Sequence, residues 1–154
     1  MPAQKGADQP ADELSTSATP LTRLATRAVR VLTARIEDVL RADGFTVDQW
    51  LVIEALAEQH GLTMADLADR TMASGPTLTR VVDRLVSTAT AYREVDAHDR
   101  RRVRVYLSAR GRRTYRRIAS KVSDVEGEFL GRSGDPVATV RLLGQWANSP
   151  VQPN

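Results

Sequence analysis

One stretch of this chain, between Leu78 and Leu107, changes its hydrophobic period, and that change limits the folds open to it. Leu78, Val81, Val82 and Leu85 stand at i, i+3, i+4 and i+7, one apolar stripe along a helix. That face is core. After Ala91 the period becomes two, with Val103, Val105 and Leu107 on one face of a strand and Arg102, Arg104 and Tyr106 on the other. Ala91 to Val95 is the expected partner strand, joined through Asp96-Ala97-His98-Asp99-Arg100-Arg101.

Ser74 before Gly75-Pro76-Thr77 reads as an N-cap followed by a proline in the first turn, so the helix is expected to run from Gly75 to Val86. With the stripe turned inward, Thr77, Arg80 and Arg84 occupy the opposite face, with Pro76 and Thr79 near its edge. Hydroxyls and arginines on one helix face suit base edges and phosphates in a DNA major groove. An amphipathic surface helix would share this pattern. The consecutive arginines of the loop suit a minor groove, where negative potential attracts arginine; a solvated hairpin tip is the plain alternative. Together, Thr63 to Leu107 parse as a short helix, a turn, a second helix and a strand, basic loop, strand hairpin. This order predicts a mostly α fold with a small β-hairpin wing, a winged helix-turn-helix.

Charge placement supports the same reading. The net charge of the chain is +3, yet Arg70 to Arg117 holds 13 arginines against Asp83, Glu94, Asp96 and Asp99. Phosphate neutralisation with counterion release requires such a concentration of positive charge. The arginines are spread over helix, wing and strand with no aromatic belt, which disfavours a membrane surface.

Asp99 and Arg101, followed by a valine-rich strand and Leu107-Ser108-Ala109-Arg110-Gly111, resemble the wing signature of MarR-family transcriptional regulators. Ser74 to Leu85 resembles the family's recognition helix, and Leu67-Ala68 the helix before it. The resemblance covers roughly residues 21–146. It implies a homodimer that places the helix from Gly75 in a major groove and Arg100, Arg101 and Arg102 in the flanking minor groove, with His98 nearby. Asp99 is expected to hold Arg101 by a charge-assisted contact without meeting DNA. Three departures stand out. Ala89-Thr90-Ala91 replaces the usual Gly-Leu-Val, which removes a glycine C-cap and predicts a looser wing base. Ala97 replaces a proline, and Ser108 stands in for a capping threonine.

Residues 1–19, rich in Pro, Ala, Ser, Thr and acidic residues, read as a disordered tail. Residues 20–44 carry a long apolar stripe from Leu21 to Leu40. By resemblance this is the N-terminal dimerisation helix, before a DNA-binding region at 45–108. Thr46 and Gln49 form a capping-box pattern, and the following helix is apolar nearly all round, so it is expected at the centre of the fold. Trp50 on that helix reads first as core. In the family a small-molecule pocket lies between this helix, the first helix and the helix after the wing, which gives Trp50 and Tyr115 a ligand-pocket role. Gly111, Tyr115, Ile118, Val122, Val125 and Phe129 recur at steps of four and three, a coiled-coil spacing that predicts a dimer interface. Arg112, Arg113, Arg116 and Arg117 on the other side could meet phosphate, line an anion pocket or remain solvated. Asp135-Pro136 restarts a helix. Residues 109–148 are thus expected to form the C-terminal dimerisation helices, and 149–154 a short tail.

No catalytic constellation is present. His60 and His98 stand alone on different elements, no glycine-rich phosphate loop follows a strand, and cysteine is absent, so no metal, cofactor or thiol switch is expected. No apolar run approaches a membrane span, and no leader pattern precedes the first helix, so a cytoplasmic protein is expected. The sequence reads as a sequence-specific regulator of transcription, expected to repress. It would act as a homodimer on double-stranded DNA, at a pseudopalindrome with half-sites about 10 base pairs apart, and the family resemblance implies release by a small aromatic or anionic ligand. A winged-helix protein-interaction module and a non-specific architectural DNA binder are the alternatives.

Overall fold

The computed structural model describes residues 20–149; the tails expected at 1–19 and beyond Ser149 lie outside them. The elements are α1 (Leu21–Ala42), α2 (Val47–Glu58), β1 (Leu62–Thr63), α3 (Met64–Thr71), α4 (Gly75–Ser87), β2 (Ala91–Val95), β3 (Val103–Leu107), α5 (Ala109–Leu130) and α6 (Pro136–Ala147). Contacts divide the chain after Val31. Up to that point α1 exposes Leu21, Leu24, Val29 and Val31.

From Leu32 onward, one core gathers around α2. Thr46 accepts from the Gln49 backbone N–H while the Gln49 side chain accepts from the Thr46 N–H, so both ends of the capping box close. Trp50, Val52, Ile53, Ala55 and Leu56 are buried from this helix, because neighbours surround it. They join Ile36, Leu40, Leu67, Leu78, Val82, Leu85, Val105 and Leu107. The apolar stripe of α4 is therefore core, as its spacing predicts.

The sheet is antiparallel with order β1-β3-β2, and Ala91 pairs with Leu107 and Val95 with Val103. β2 takes the expected limits, and β3 starts one residue later than the alternation from Arg102 predicts. β1 was not foreseen; its two residues pair with Val105 and Arg104, too short a run to leave a period in the sequence.

Part of the apolar stripe of α5 faces inward: Ile118 and Val122 belong to this chain's own core, with Tyr115 and Val125 packed against it, and α5 packs on α2 and β3. α6 differs. It starts on Asp135, whose carboxylate accepts from the Ala138 N–H, yet none of its residues is buried, and Val137, Val140, Leu142, Leu143 and Trp146 are exposed.

Candidate nucleic-acid interface

α3 opens on a second capping box, Thr63 with Asp66, and ends at Met72 in the left-handed region, φ 55°. This reverses the chain into α4. Ser74 stands at the N-cap with extended backbone but makes no capping bond; its hydroxyl lies 3.1 Å from that of Thr77. The cap expected of Ser74 is thus absent; its hydroxyl instead donates to the Thr77 hydroxyl. Pro76 sits in the first turn and exposes no unmet donor. Pro76, Thr79, Arg80 and Arg84 are exposed, whereas Thr77 is half-buried. The Thr79 hydroxyl donates back to the Gly75 carbonyl at 3.0 Å. Arg80 makes no ion pair among the described residues, which leaves its guanidinium free for an external acceptor.

Arg93 of β2 donates to Asp83 of α4 at 2.7 Å and ties the hairpin to the exposed side of the helix. No periodicity marks such a pair.

The hairpin tip is organised by Asp96. Its carboxylate accepts from Arg104 Nε at 2.5 Å, from the His98 N–H at 2.8 Å and from the Asp99 N–H at 3.2 Å. The Arg104 guanidinium, with the two backbone donors behind it, draws the Asp96 carboxyl down from 3.8 to about 2. Arg104 also donates to the Gly61 carbonyl at 3.0 Å, which anchors the tip to the chain before β1. Asp99 does not hold the Arg101 side chain as expected. It accepts from the Arg101 backbone N–H at 3.0 Å and pairs with Arg102 Nε at 3.3 Å, because the turn carries the Arg101 side chain outward. Arg100 and Arg101 are exposed without an ion pair among the described residues, and His98 is exposed beside them. Asp96 was missed; an aspartate opening a tight loop, eight residues before an arginine of the return strand, was the available signal.

The wing base is closed by bonds. The Thr90 N–H reaches the Leu85 carbonyl at 2.8 Å and the Ala89 N–H the Val86 carbonyl at 3.0 Å, a Schellman ending in which Ala89 takes φ 54° in place of a glycine. Thr90 and Ala91 are buried. Ser108 caps α5 by accepting from the Gly111 N–H at 2.9 Å, and its hydroxyl lies 2.7 Å from the Ala89 carbonyl. A Cβ at Gly111 would meet the Thr90 carbonyl oxygen at 2.1 Å, so glycine alone fits there. The Ser-x-x-Gly spacing thus has a packing reason.

Trp50 and Tyr115 stack on one another, centroids 5.6 Å apart at 13°. Trp50 is 3% exposed and serves as core. Tyr115 lines a cavity of about 190 Å³ with Leu56, Ala57, His60, Arg112 and Arg116. No helix among the described residues is long and apolar enough to cross a membrane.

Comparison with known proteins agrees with this geometry. A model of the MarR family matches residues 43–102. The HTH-type transcriptional regulator FarR of Neisseria gonorrhoeae is 31% identical over 109 residues, which span 69% of this chain and 75% of that protein. Among solved structures, NadR in complex with 4-hydroxyphenylacetate superposes with a TM-score of 0.74 at 27% identity, covering 88% of this chain and 98% of NadR. A mutant MarR from Escherichia coli, complexed with operator DNA, gives a TM-score of 0.74 at 25% identity, covering 84% of this chain and 94% of that one. The chain belongs to the MarR family of transcriptional regulators and carries that family's winged-helix DNA-binding fold.

Proposed function

We propose that this regulator is a cytoplasmic repressor that binds a pseudopalindromic operator as a homodimer. The observation that carries the reading is the division of α4. Leu78, Val82 and Leu85 are buried while Pro76, Thr79, Arg80 and Arg84 face outward, beside a hairpin whose tip exposes Arg100 and Arg101. In this reading Pro76, Thr77, Thr79, Arg80 and Arg84, with Ser74 at the helix start, meet a major groove. Arg100, Arg101, Arg102 and His98 follow the adjacent minor groove. The operator complex of the Escherichia coli MarR protein supports this placement. The exposed apolar side of α6 supports a second copy as partner, since a surface of this kind is costly to leave in water.

Release would come from a small aromatic carboxylate in the cavity beside Tyr115. Apolar Leu56 and Ala57 offer a ring site and Arg112 and Arg116 two cations. The NadR complex with 4-hydroxyphenylacetate supports that chemistry. Such a ligand shifts the protein only as far as it prefers the form unable to bind DNA.

Footprinting on the DNA upstream of the protein's own gene, across a salt series with random competitor, tests the reading. A protected palindrome that survives competitor is expected. Protection lost to competitor at every salt would indicate an architectural binder, and no binding at low salt a protein-interaction module.

A further inference from the structure

We propose that the polar cavity between the end of α4 and the start of α5 is a binding site for a phosphate-class oxyanion. The cavity, about 300 Å³, is lined by Arg84 from α4, Arg110, Arg113, Thr114 and Arg117 from α5, and Asp43 from the turn after α1. Its volume accommodates a phosphate with a small organic group. Three separate stretches of chain contribute to it, so the fold assembles the arginines; no single helix face does.

The charges inside it are not matched by the protein. Asp43 is taken up by Arg117 and Lys121, each at 3.0 Å. Arg84, Arg110 and Arg113 have no carboxylate partner among the described residues. Two of these three stand where a helix tolerates them least. α5 has no acidic residue in its first turn, and Arg110 and Arg113 lie at the positive pole of its dipole. Arg113 also follows Arg110 by three residues and precedes Arg117 by four, like charges that oppose the helix. A bound oxyanion would relieve all of these repulsions, and guanidinium groups match its geometry in pairs.

A second observation, independent of charge, points to the same occupant. Thr114 is only 5% exposed, lines the cavity, and its hydroxyl has no hydrogen-bond partner among the described residues. The hydroxyl is not sealed in the core but opens onto the cavity, as a donor to whatever sits there. An oxyanion in the cavity would accept from it. Arg84 links the site to the DNA-binding helix, so occupancy would hold one side chain of α4 away from solvent.

The test is thermal unfolding of the full chain in sodium phosphate against sodium chloride at equal ionic strength and pH. A saturable phosphate-specific rise in Tm of about 3 °C is expected at concentrations well above the dissociation constant. In the Arg110→Gln/Arg113→Gln variant the rise should vanish. Its phosphate-free Tm should stay level or increase, because like charges have been removed, whereas purely structural arginines would lower it. Thr114→Val should weaken phosphate binding several-fold. No phosphate-specific rise, or a rise retained in the arginine variant, would overturn the proposal. Binding to a random-sequence duplex across salt identifies the source of the oxyanion and stands whether or not a specific operator exists. A salt slope reduced by about two phosphates in the arginine variant assigns it to the DNA backbone; an unchanged slope assigns it to a free small phosphate.

Discussion

The two ends of the hairpin are built on opposite principles. At the base, Thr90, Ala91 and Leu107 are buried, and Ser108 and Gly111 lock the start of α5 onto the end of α4. At the tip, Arg100 and Arg101 lie open, and their loop is held by two carboxylates, chiefly that of Asp96 with Asp99 beside it. The base is fixed by packing, which leaves little freedom to its backbone. The tip is fixed by charge-assisted hydrogen bonds in water, which position a loop while leaving its cations available. A reading element therefore needs a rigid root more than a rigid end, since the root sets where the arginines can reach.

The sharpest way to break this contrast is at the root. Gly111→Ala would drive a Cβ to 2.1 Å from the Thr90 carbonyl oxygen and 3.0 Å from a Leu107 methyl. The first of these is backbone and cannot swing aside. The expected loss is about 3 kcal/mol, read as a lower urea midpoint. An unchanged midpoint would mean that the base has slack and that the contrast with the tip is false.

At the tip a smaller effect is expected, and a different readout. Asp96→Asn keeps the shape but gives up the charge that Arg104 and two backbone donors share. The urea midpoint should barely move, while affinity for duplex DNA falls about tenfold as the arginine loop loses its hold, a loss within the range of a few charge-assisted contacts. Fluorescence anisotropy on a labelled duplex checks this. The same carboxylate makes the wild-type tip acid-sensitive. Its folded pKa, about 2, lies below its ordinary value of 3.8, so its contribution is complete above about pH 4 and disappears as pH falls through 2. The Arg104 Nε proton resonance should shift across that window in the wild type and stay fixed in the variant.

The base and the tip were also unequally legible in the sequence. The strands and α4 announce themselves because burial of alternate or every third and fourth residue leaves a period, and their limits follow from it to within a residue. The wing arginines were visible as a charge run. Asp96 was not, since a side chain that turns back onto its own loop needs only one residue and has no spacing to repeat. The Arg93 to Asp83 pair is silent for the same reason, and β1 is too short to alternate. The stripe of α5 shows a different limit. Its period was real, but a period states that a face is covered and not by what, and α2 and β3 of the same chain cover part of it. Ser74 had the right residue type and position for a cap, yet its hydroxyl turns to donate to Thr77 and accepts no backbone N–H. On α6 the apolar positions were equally clear, and nothing within the described chain buries them.

The smallest expected effect returns to the base and sharpens the comparison. Two backbone bonds, from Thr90 to Leu85 and from Ala89 to Val86, oblige residue 89 to enter the left-handed region, where a Cβ crowds the following carbonyl. Alanine is there against its preference, kept in place by the burial of Thr90 and by the Ser108 hydroxyl on its carbonyl. Ala89→Gly removes the crowding and adds freedom to the unfolded chain, two effects of opposite sign. The first is larger at a φ of 54°, so the variant should gain about 0.5–1 kcal/mol, seen as a higher urea midpoint at unchanged slope. A lower midpoint would mean that alanine sits there without strain. The same change should leave duplex affinity untouched, because the bonds that set the direction of the hairpin come from Thr90, Ser108 and Gly111 and none of them uses the Ala89 side chain.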